Sequence, residues 1–194
     1  MTTRITPLTL VALLFSISSY TQVLSHEWSY ELQTATHDAG RSIIADDAGN
    51  SYMVGDFGNG VASSTSLPLP NGSSLVGNGQ RDAMIIRTNA DGTIGWAHNI
   101  GGTNDEMAFD VDWVNSTQLV VVGFFEGTID LNPDIGTTMV STGFGDADGM
   151  LLVLDTAGSY RGALPWEETV PATHVRWRLT MPATFLWRAP LPMS

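Results

Sequence analysis

The chain has no cysteine and no lysine. Without thiols there can be no disulfide, no lipid-modified N-terminal cysteine and no thiolate metal site, so packing and hydrogen bonds must hold the fold. All eight cationic side chains are arginines, set against 20 acids. The imbalance is local: residues 26–162 carry 18 acids and four arginines, a net charge of −14, while residues 163–194 carry two acids and three arginines. An acidic body of this kind repels phosphate backbones, which argues against a nucleic-acid partner. Its simplest consequence is a solvated surface, and its sharper one is cation binding. Beyond the first 25 residues no 12-residue window keeps a helical period. Catalytic signatures are missing too. Neither G-x-S-x-G nor H-E-x-x-H occurs, and His26, His37, His98 and His174 have no ligand spacing.

The first 25 residues have the make-up of a secretory signal peptide. Arg4 gives a positive start, residues 8–17 form an apolar run, and Val23 and Ser25 are small enough for a cleavage site before His26. The run is near half the roughly 20 residues of a membrane-spanning helix. Export to the cell surface or beyond is therefore expected, with no membrane span in the mature chain.

What the chain does have is a repeat. QLVVVGFFEGTIDLNP at 118–133 echoes SYMVGDFGN at 51–59: each run reaches a glycine (Gly55, Gly123) and then a phenylalanine two residues on (Phe57, Phe125). Gly77, Gly79, Asp82, Met84 and Gly92 recur as Gly143, Gly145, Asp148, Met150 and Gly158, all at an offset of 66. Two units follow, about 28–95 and 96–162, within a repeat region at 26–162. Each opens on a tryptophan strand (residues 27–32 and 95–100), which has the look of the last strand of the preceding unit. Three more strands follow at 41–46, 51–59 and 82–88, and at 107–113, 118–125 and 148–155. Gly49-Asn50 and Asp91-Gly92 supply turns, because Gly and Asn tolerate positive φ. An aspartate, Asp38 or Asp105, recurs after each tryptophan strand and reads as a turn brace. The fold class expected is all-β: an incomplete β-propeller-like array of about two four-stranded antiparallel blades behind an N-terminal signal peptide. Two blades cannot close a ring of about 4–8, so exposed strand edges invite self-association.

The spaced motifs Asp38, Ile43, Asp46, Gly49, Asn50, Tyr52, Gly55, Phe57, then Trp96, Gly101, Gly102, Asp105, Ala108, with Gly127-Thr128, Asp130-Leu131, Pro133 and Gly79 to Ala83, resemble the bacterial β-propeller repeat of SBBP type over about residues 28–160. Gly-Asn is missing from residues 114–117 of the second unit. The resemblance implies a propeller scaffold in a secreted or surface protein, without implying one activity.

Three places could carry chemistry. Asp130, Asn132 and Asp134 put oxygen side chains on alternate residues, as calcium loops do, although Gly136 comes one position late and no glutamate follows at position 12. Calcium is the one cofactor this pattern points to, and Asp146-x-Asp148-Gly149 is a second acidic cluster. Asp105, Glu106, Asp110 and Asp112 crowd one strand, with Asp110 and Asp112 on the same side, and paired carboxylates can hydrolyse glycosides. Gly77-x-Gly79-x-x-Asp82 lacks the third glycine and the helix of a dinucleotide loop. The leading expectation is a secreted, non-catalytic module that binds a protein or glycan and is a fragment of a larger propeller. The alternatives are a propeller hydrolase or lyase acting on extracellular polysaccharide, and a calcium-stabilised structural module. Residues 163–194 break the pattern, with no glycine but five of the nine prolines and three of the six tryptophans. An atypical, poorly ordered tail is one reading of that change, and a shifted reading frame near residues 161–166 is another.

Overall fold

A computed structural model describes residues 27–58, 60–61, 65–134, 137–141 and 147–166. The segment read as a signal peptide, the residues 167–194 of the atypical tail, and Gly136, Gly143, Gly145 and Asp146 lie outside the described residues.

The described chain is all-β and antiparallel, in two four-stranded sheets and two small hairpins. Sheet 1 has the order β1(His37–Ala45), β2(Ser51–Gly58), β5(Arg81–Thr88), β6(Ile94–Ile100). Sheet 2 repeats it as β7(Glu106–Asn115), β8(Gln118–Phe125), β11(Asp148–Asp155), β12(Tyr160–Trp166). The link between second and third strands carries a hairpin in each case, β3(Ser66–Pro68) with β4(Ser74–Val76), and β9(Thr128–Asp130) with β10(Met139–Ser141). Turn formers mark these links in the sequence, Pro68, Pro70 and Asn71-Gly72 in the first and Asn132-Pro133 in the second. Leu67, Leu69 and Leu75 in the first, and Ile129 and Leu131 in the second, are buried.

The tryptophan strand at 95–100 is the last strand of sheet 1, as its phase predicts. Residues 27–32 are a correction, since they form no strand. Trp28 nevertheless does there what Trp96 does in β6. The Trp28 indole N–H donates to the Ala90 carbonyl at 3.1 Å, and the Trp96 indole N–H donates to the Thr156 carbonyl at 3.1 Å. Each ring lies over the glycine of the β5–β6 or β11–β12 turn, Gly92 at φ +85° or Gly158 at φ +88°. Trp96 thus ties sheet 1 to the far turn of sheet 2. The last strand of sheet 2 runs past residue 162. Ala163 to Trp166 belong to β12, and the register pairs Val153 with Gly162 where Arg87 pairs with Trp96. The counterpart of Trp96 is therefore Gly162. Pro165 is tolerated because β12 is an edge strand.

The D-x-x-G-N-x-Y motif closes the β1–β2 turn. Asp46 Oδ1 accepts from the Ala48 and Asn50 amides at 3.0 and 2.9 Å, and Asp46 Oδ2 accepts from Asn50 Nδ2 and the Tyr52 hydroxyl at 2.8 and 3.1 Å. Tyr52 is fully buried, edge-on to Trp113 at 5.3 Å, in the core between the sheets. That core joins Tyr52, Val54 and Ile85 of sheet 1 to Val111, Val121, Met150 and Leu152 of sheet 2. The opposite face of sheet 1, with Phe57, Met84 and Ile86, packs under Leu32 and the β3–β4 hairpin. On the far face of sheet 2, Val120, Val122 and Leu151 form a cluster of their own.

Candidate functional site

The strand register gathers the acids onto one rim of the two sheets, where β1, β5, β7 and β11 start and β2, β6 and β8 end. Phe57 lies between Asp38 and Asp82, and Phe125 lies between Glu106 and Asp148. Each sheet therefore carries an acid–phenylalanine–acid row, with its phenylalanine fully buried. Asp38 corresponds to Glu106, not to Asp105 as the sequence spacing suggests. Both carboxylates accept from the amide four residues earlier: Asp38 Oδ2 from the Thr34 N–H at 2.6 Å, and Glu106 Oε2 from the Gly102 N–H at 2.8 Å.

The glycine motifs find their reasons here. The Asp82 carboxylate accepts from the Asn78 amide at 3.1 Å and more weakly from the Gly79 amide at 3.4 Å. A Cβ on Gly77 would come within 2.7 Å of Asp82 Oδ2, and one on Gly101 would collide with Oδ1. The amides of the G-x-G loop are thus turned onto an internal carboxylate rather than left open for a phosphate. Gly102 fits because a side chain there would press within 2.8 Å of Ile129 Cγ2 and 2.9 Å of the Thr128 carbonyl.

The electrostatics follow from burial. Glu106 is fully buried, and burial pushes its carboxyl up to about 8 from an ordinary 4.5. The Gly102 amide opposes that shift, and the Asp82 and Asp105 charges add to it. Among the described residues, no donor meets Glu106 Oε1 in hydrogen-bonding geometry. Asp82 is raised as well, again chiefly by burial. Around these acids stand ion pairs that the sequence reading missed. Arg81 binds Asp105 through Nε–Oδ1 at 3.0 Å and a second contact at 2.5 Å, and Arg41 binds the buried Asp56. Charge sign alone could have suggested such pairs, but the partners lie 24 and 15 residues apart.

At the inner edge of the junction, equivalent residues meet. β1 and β7 each bulge beside the motif glycine, at Arg41 and at Phe109. The Arg41 guanidinium sits 5.4 Å over the Phe109 ring, and the Ser42 hydroxyl donates to Asp110 Oδ1 at 2.6 Å. Asp112 Oδ1 accepts from the Trp113 amide at 2.7 Å. The four acids grouped in the sequence thus serve separate purposes: Asp105 pairs with Arg81, Glu106 is sealed in the rim, Asp110 ties to sheet 1, and Asp112 bonds its own backbone.

Asp130, Asn132 and Asp134 serve their own chain in the same way. Asp130 Oδ1 accepts from the Asn132 and Thr138 amides at 3.0 and 2.7 Å, Asn132 Oδ1 from the Asp134 amide at 2.9 Å, and Asp134 Oδ2 from the Tyr160 amide at 2.8 Å. This is the loop-forming use of Asp and Asn. Among the described residues no group of three or more histidine or acidic side chains is placed to hold a metal ion. The melting midpoint compared in calcium and in EDTA tests the calcium reading of Asp130, Asn132 and Asp134. A calcium-dependent rise, which a bound cation must cause by mass action, would assign these residues as ligands. His37 Nε2 lies 3.8 Å from Asp56, and His98 Nε2 lies 2.9 Å from the Gly158 carbonyl with its ring against Trp96. His26 and His174 lie outside the described residues.

No family model and no curated protein matches this chain. Among the described residues no helix is long and apolar enough to cross a membrane.

Proposed function

We propose that the chain is a non-catalytic β-propeller repeat module that is exported and presents its loops to a protein or to a surface glycan. The observation that carries this reading is the sealing of the rim acids: Asp82 and Glu106 are at most 1% exposed and bonded to backbone amides, so they brace loops instead of meeting a substrate. Propeller geometry is supported by the junction. Equivalent residues of the two sheets touch at β1 and β7, and β7 is the strand that packs across β1, β2 and β5. Residues can meet their own repeat counterparts if the units are related by a rotation whose axis runs close beside them. The first strands are then the inner ones, as in propeller blades. Export rests on Arg4 and the apolar run at 8–17.

One observation favours the hydrolase reading. Glu106 is held neutral at physiological pH, the state a general acid needs. Its complete burial weighs against that role. Calorimetry against extracellular polysaccharides, combined with an assay for reducing ends, separates the two readings. Binding without released ends is the expected result. Release of reducing ends that disappears in Glu106→Gln would replace the binding module with a hydrolase.

A further inference from the structure

Asn71 and Gly72 stand at the tip of the β3–β4 hairpin, and residues 71–74 are all exposed. Gly72 has φ +83°, with nothing within 4 Å of the place a Cβ would take. Two donors converge on the side-chain oxygen of Asn71, the Ser73 amide at 3.1 Å and the Ser73 hydroxyl at 2.7 Å. Both polarise the side-chain carbonyl and favour negative charge on its oxygen, as an oxyanion hole does. The next nitrogen along the chain belongs to glycine, which has no side chain to hinder its attack on that carbonyl. Other turns hold some of these features. Asn78-Gly79 repeats the dipeptide, but Gly79 is buried, and its amide is turned onto Asp82 Oδ2 at 3.4 Å. The Gly102 and Asn104 carbonyl oxygens lie 2.6 and 2.8 Å from where a Gly79 Cβ would stand, so this backbone is hemmed in. Asn115 Oδ1 accepts from the Thr117 amide and hydroxyl, both at 2.9 Å, but Ser116 follows it and its side chain crowds the attacking amide. Asp91-Gly92 has the two donors, from Thr93 at 3.0 and 2.6 Å. Those bonds hold the Asp91 carboxyl below its ordinary value, and an ionised carboxylate resists a nucleophile. A third Asn-Gly pair, at 59–60, begins outside the described residues.

We propose that Asn71 is a self-modification site, where the Gly72 amide closes on the side chain to form a succinimide and hydrolysis leaves aspartate or isoaspartate at position 71. The Gly72 nitrogen bonds to Asn71 Cγ and loses its proton to solvent. The Cγ–Nδ2 bond then breaks, and the nitrogen takes up a proton and leaves as ammonia. Water adds to one or the other carbonyl of the five-membered imide, which sets the two products. Water is the only co-reactant. The Gly72 N–H donates to the Leu69 carbonyl at 2.9 Å, so the attack waits on the opening of that turn. The Ser73 donors lie only two residues from Asn71 and hold its oxygen through a local turn of their own. Either product adds a carboxylate to the turn, and isoaspartate also adds a methylene to its backbone. Leu67, Leu69 and Leu75 of this hairpin pack on Phe57, Met84 and Ile86, so the modification loosens the cover of the outer sheet 1 face.

Ageing the folded full chain in mildly alkaline buffer tests the inference. Peptide mass spectrometry then follows the exchange of amide nitrogen for oxygen at each asparagine, and enzymatic methylation of isoaspartate identifies the rearranged product. Asn71 is expected to convert at least about tenfold faster than Asn78 or Asn115, a difference of about 1.4 kcal/mol in barrier. The Asn71–Asn78 comparison needs no variant. In urea, where neither Gly79 nor Gly72 is held, Asn71 and Asn78 should convert at rates closer to each other, which assigns the difference to the fold. Ser73→Ala removes the hydroxyl donor and keeps the amide. It is expected to slow Asn71 by about threefold to tenfold, less than the loss of a donor costs in a water-excluded oxyanion hole. The site is exposed, and thermal melting checks that the variant is folded. Folded protein that keeps its amide at position 71, an Asn71 no faster than Asn78, or a Ser73→Ala chain that ages at the wild-type rate overturns the proposal. A melting midpoint that falls as conversion proceeds supports the loosened hairpin, and a midpoint that stays fixed at full conversion overturns that consequence.

Discussion

Gly123→Ala is expected to cost at least about 3 kcal/mol of stability, at the severe end of what overpacking does. The position is not a turn and has no unusual φ. Its glycine is required because the bulged first strand swings its backbone over the second. A Cβ built there falls inside the contact distance of the Met107 carbonyl oxygen and 2.8 Å from Met150 Cε. The methionine tip could rotate away, but the carbonyl is fixed by the β7–β8 ladder. The same overlap exists at Gly55, with the Ala39 carbonyl oxygen and with Met84 Cε at 2.9 Å, so Gly55→Ala should cost about as much. For a domain stable by about 5–15 kcal/mol, either loss is a large share of the total. Gly162→Ala is the control. Nothing lies within 4 Å of the added carbon, and the change should be neutral or slightly stabilising through the unfolded chain. Urea titration of the three variants decides the matter. A Gly123→Ala midpoint close to that of Gly162→Ala would show that the strands part easily at the bulge.

Glu106→Gln is expected to stabilise the protein at alkaline pH and to leave it nearly unchanged at pH 4. The folded carboxyl, pushed up to about 8, holds its proton where the unfolded chain has already lost one near 4.5. Between those values the folded state binds the extra proton, so stability falls as pH rises. The contribution is complete below the unfolded value and is lost as pH rises through the folded one. At about 1.4 kcal/mol for each unit over the window from 4.5 to about 8, the loss is on the order of 5 kcal/mol once both states are ionised. Glutamine keeps an oxygen for the Gly102 amide and cannot ionise, so its stability should stay flatter across that window. Thermal melts of both proteins from pH 4 to 9 make the comparison. If the curves fall in parallel, Glu106 is not the titrating group, and Asp82, also raised by burial, becomes the residue to substitute next.

Both predictions rest on motif residues that stand out in the sequence but whose reason does not. Gly-x-Phe is visible as a repeated pair, while the carbonyl that excludes a Cβ from Gly123 comes from Met107, on a different strand. The rim acids are equally visible as letters, yet their pairing is easy to misread. Counterparts are 68 residues apart before the hairpin-bearing link and 66 apart after it, because the link from Phe125 to Asp148 is two residues shorter than that from Phe57 to Asp82. A single offset therefore slides Asp38 toward Asp105 and hides the true partner, Glu106. The hairpins within the links leave no mark in the sequence because each strand is only three residues long. Alternation over so short a run gives no periodic signal.

The sequence by itself determined the strand content, the turns, the repeat and the four-stranded unit. These depend on local chemistry: β-branched runs, Asp and Asn side chains that bond their own backbone, and glycines that accept positive φ. Tertiary structure alone decided which acids are sealed and which are paired, why the motif glycines cannot carry a side chain, and which face of each sheet is used. Those outcomes depend on register and on two one-residue bulges, at Arg41 and Phe109, that bring equivalent positions of the two sheets into contact. A one-residue shift in a strand turns every following side chain to the other face. Local residue pattern does not encode where such a shift falls, because its energy lies in contacts between strands that are distant in the chain.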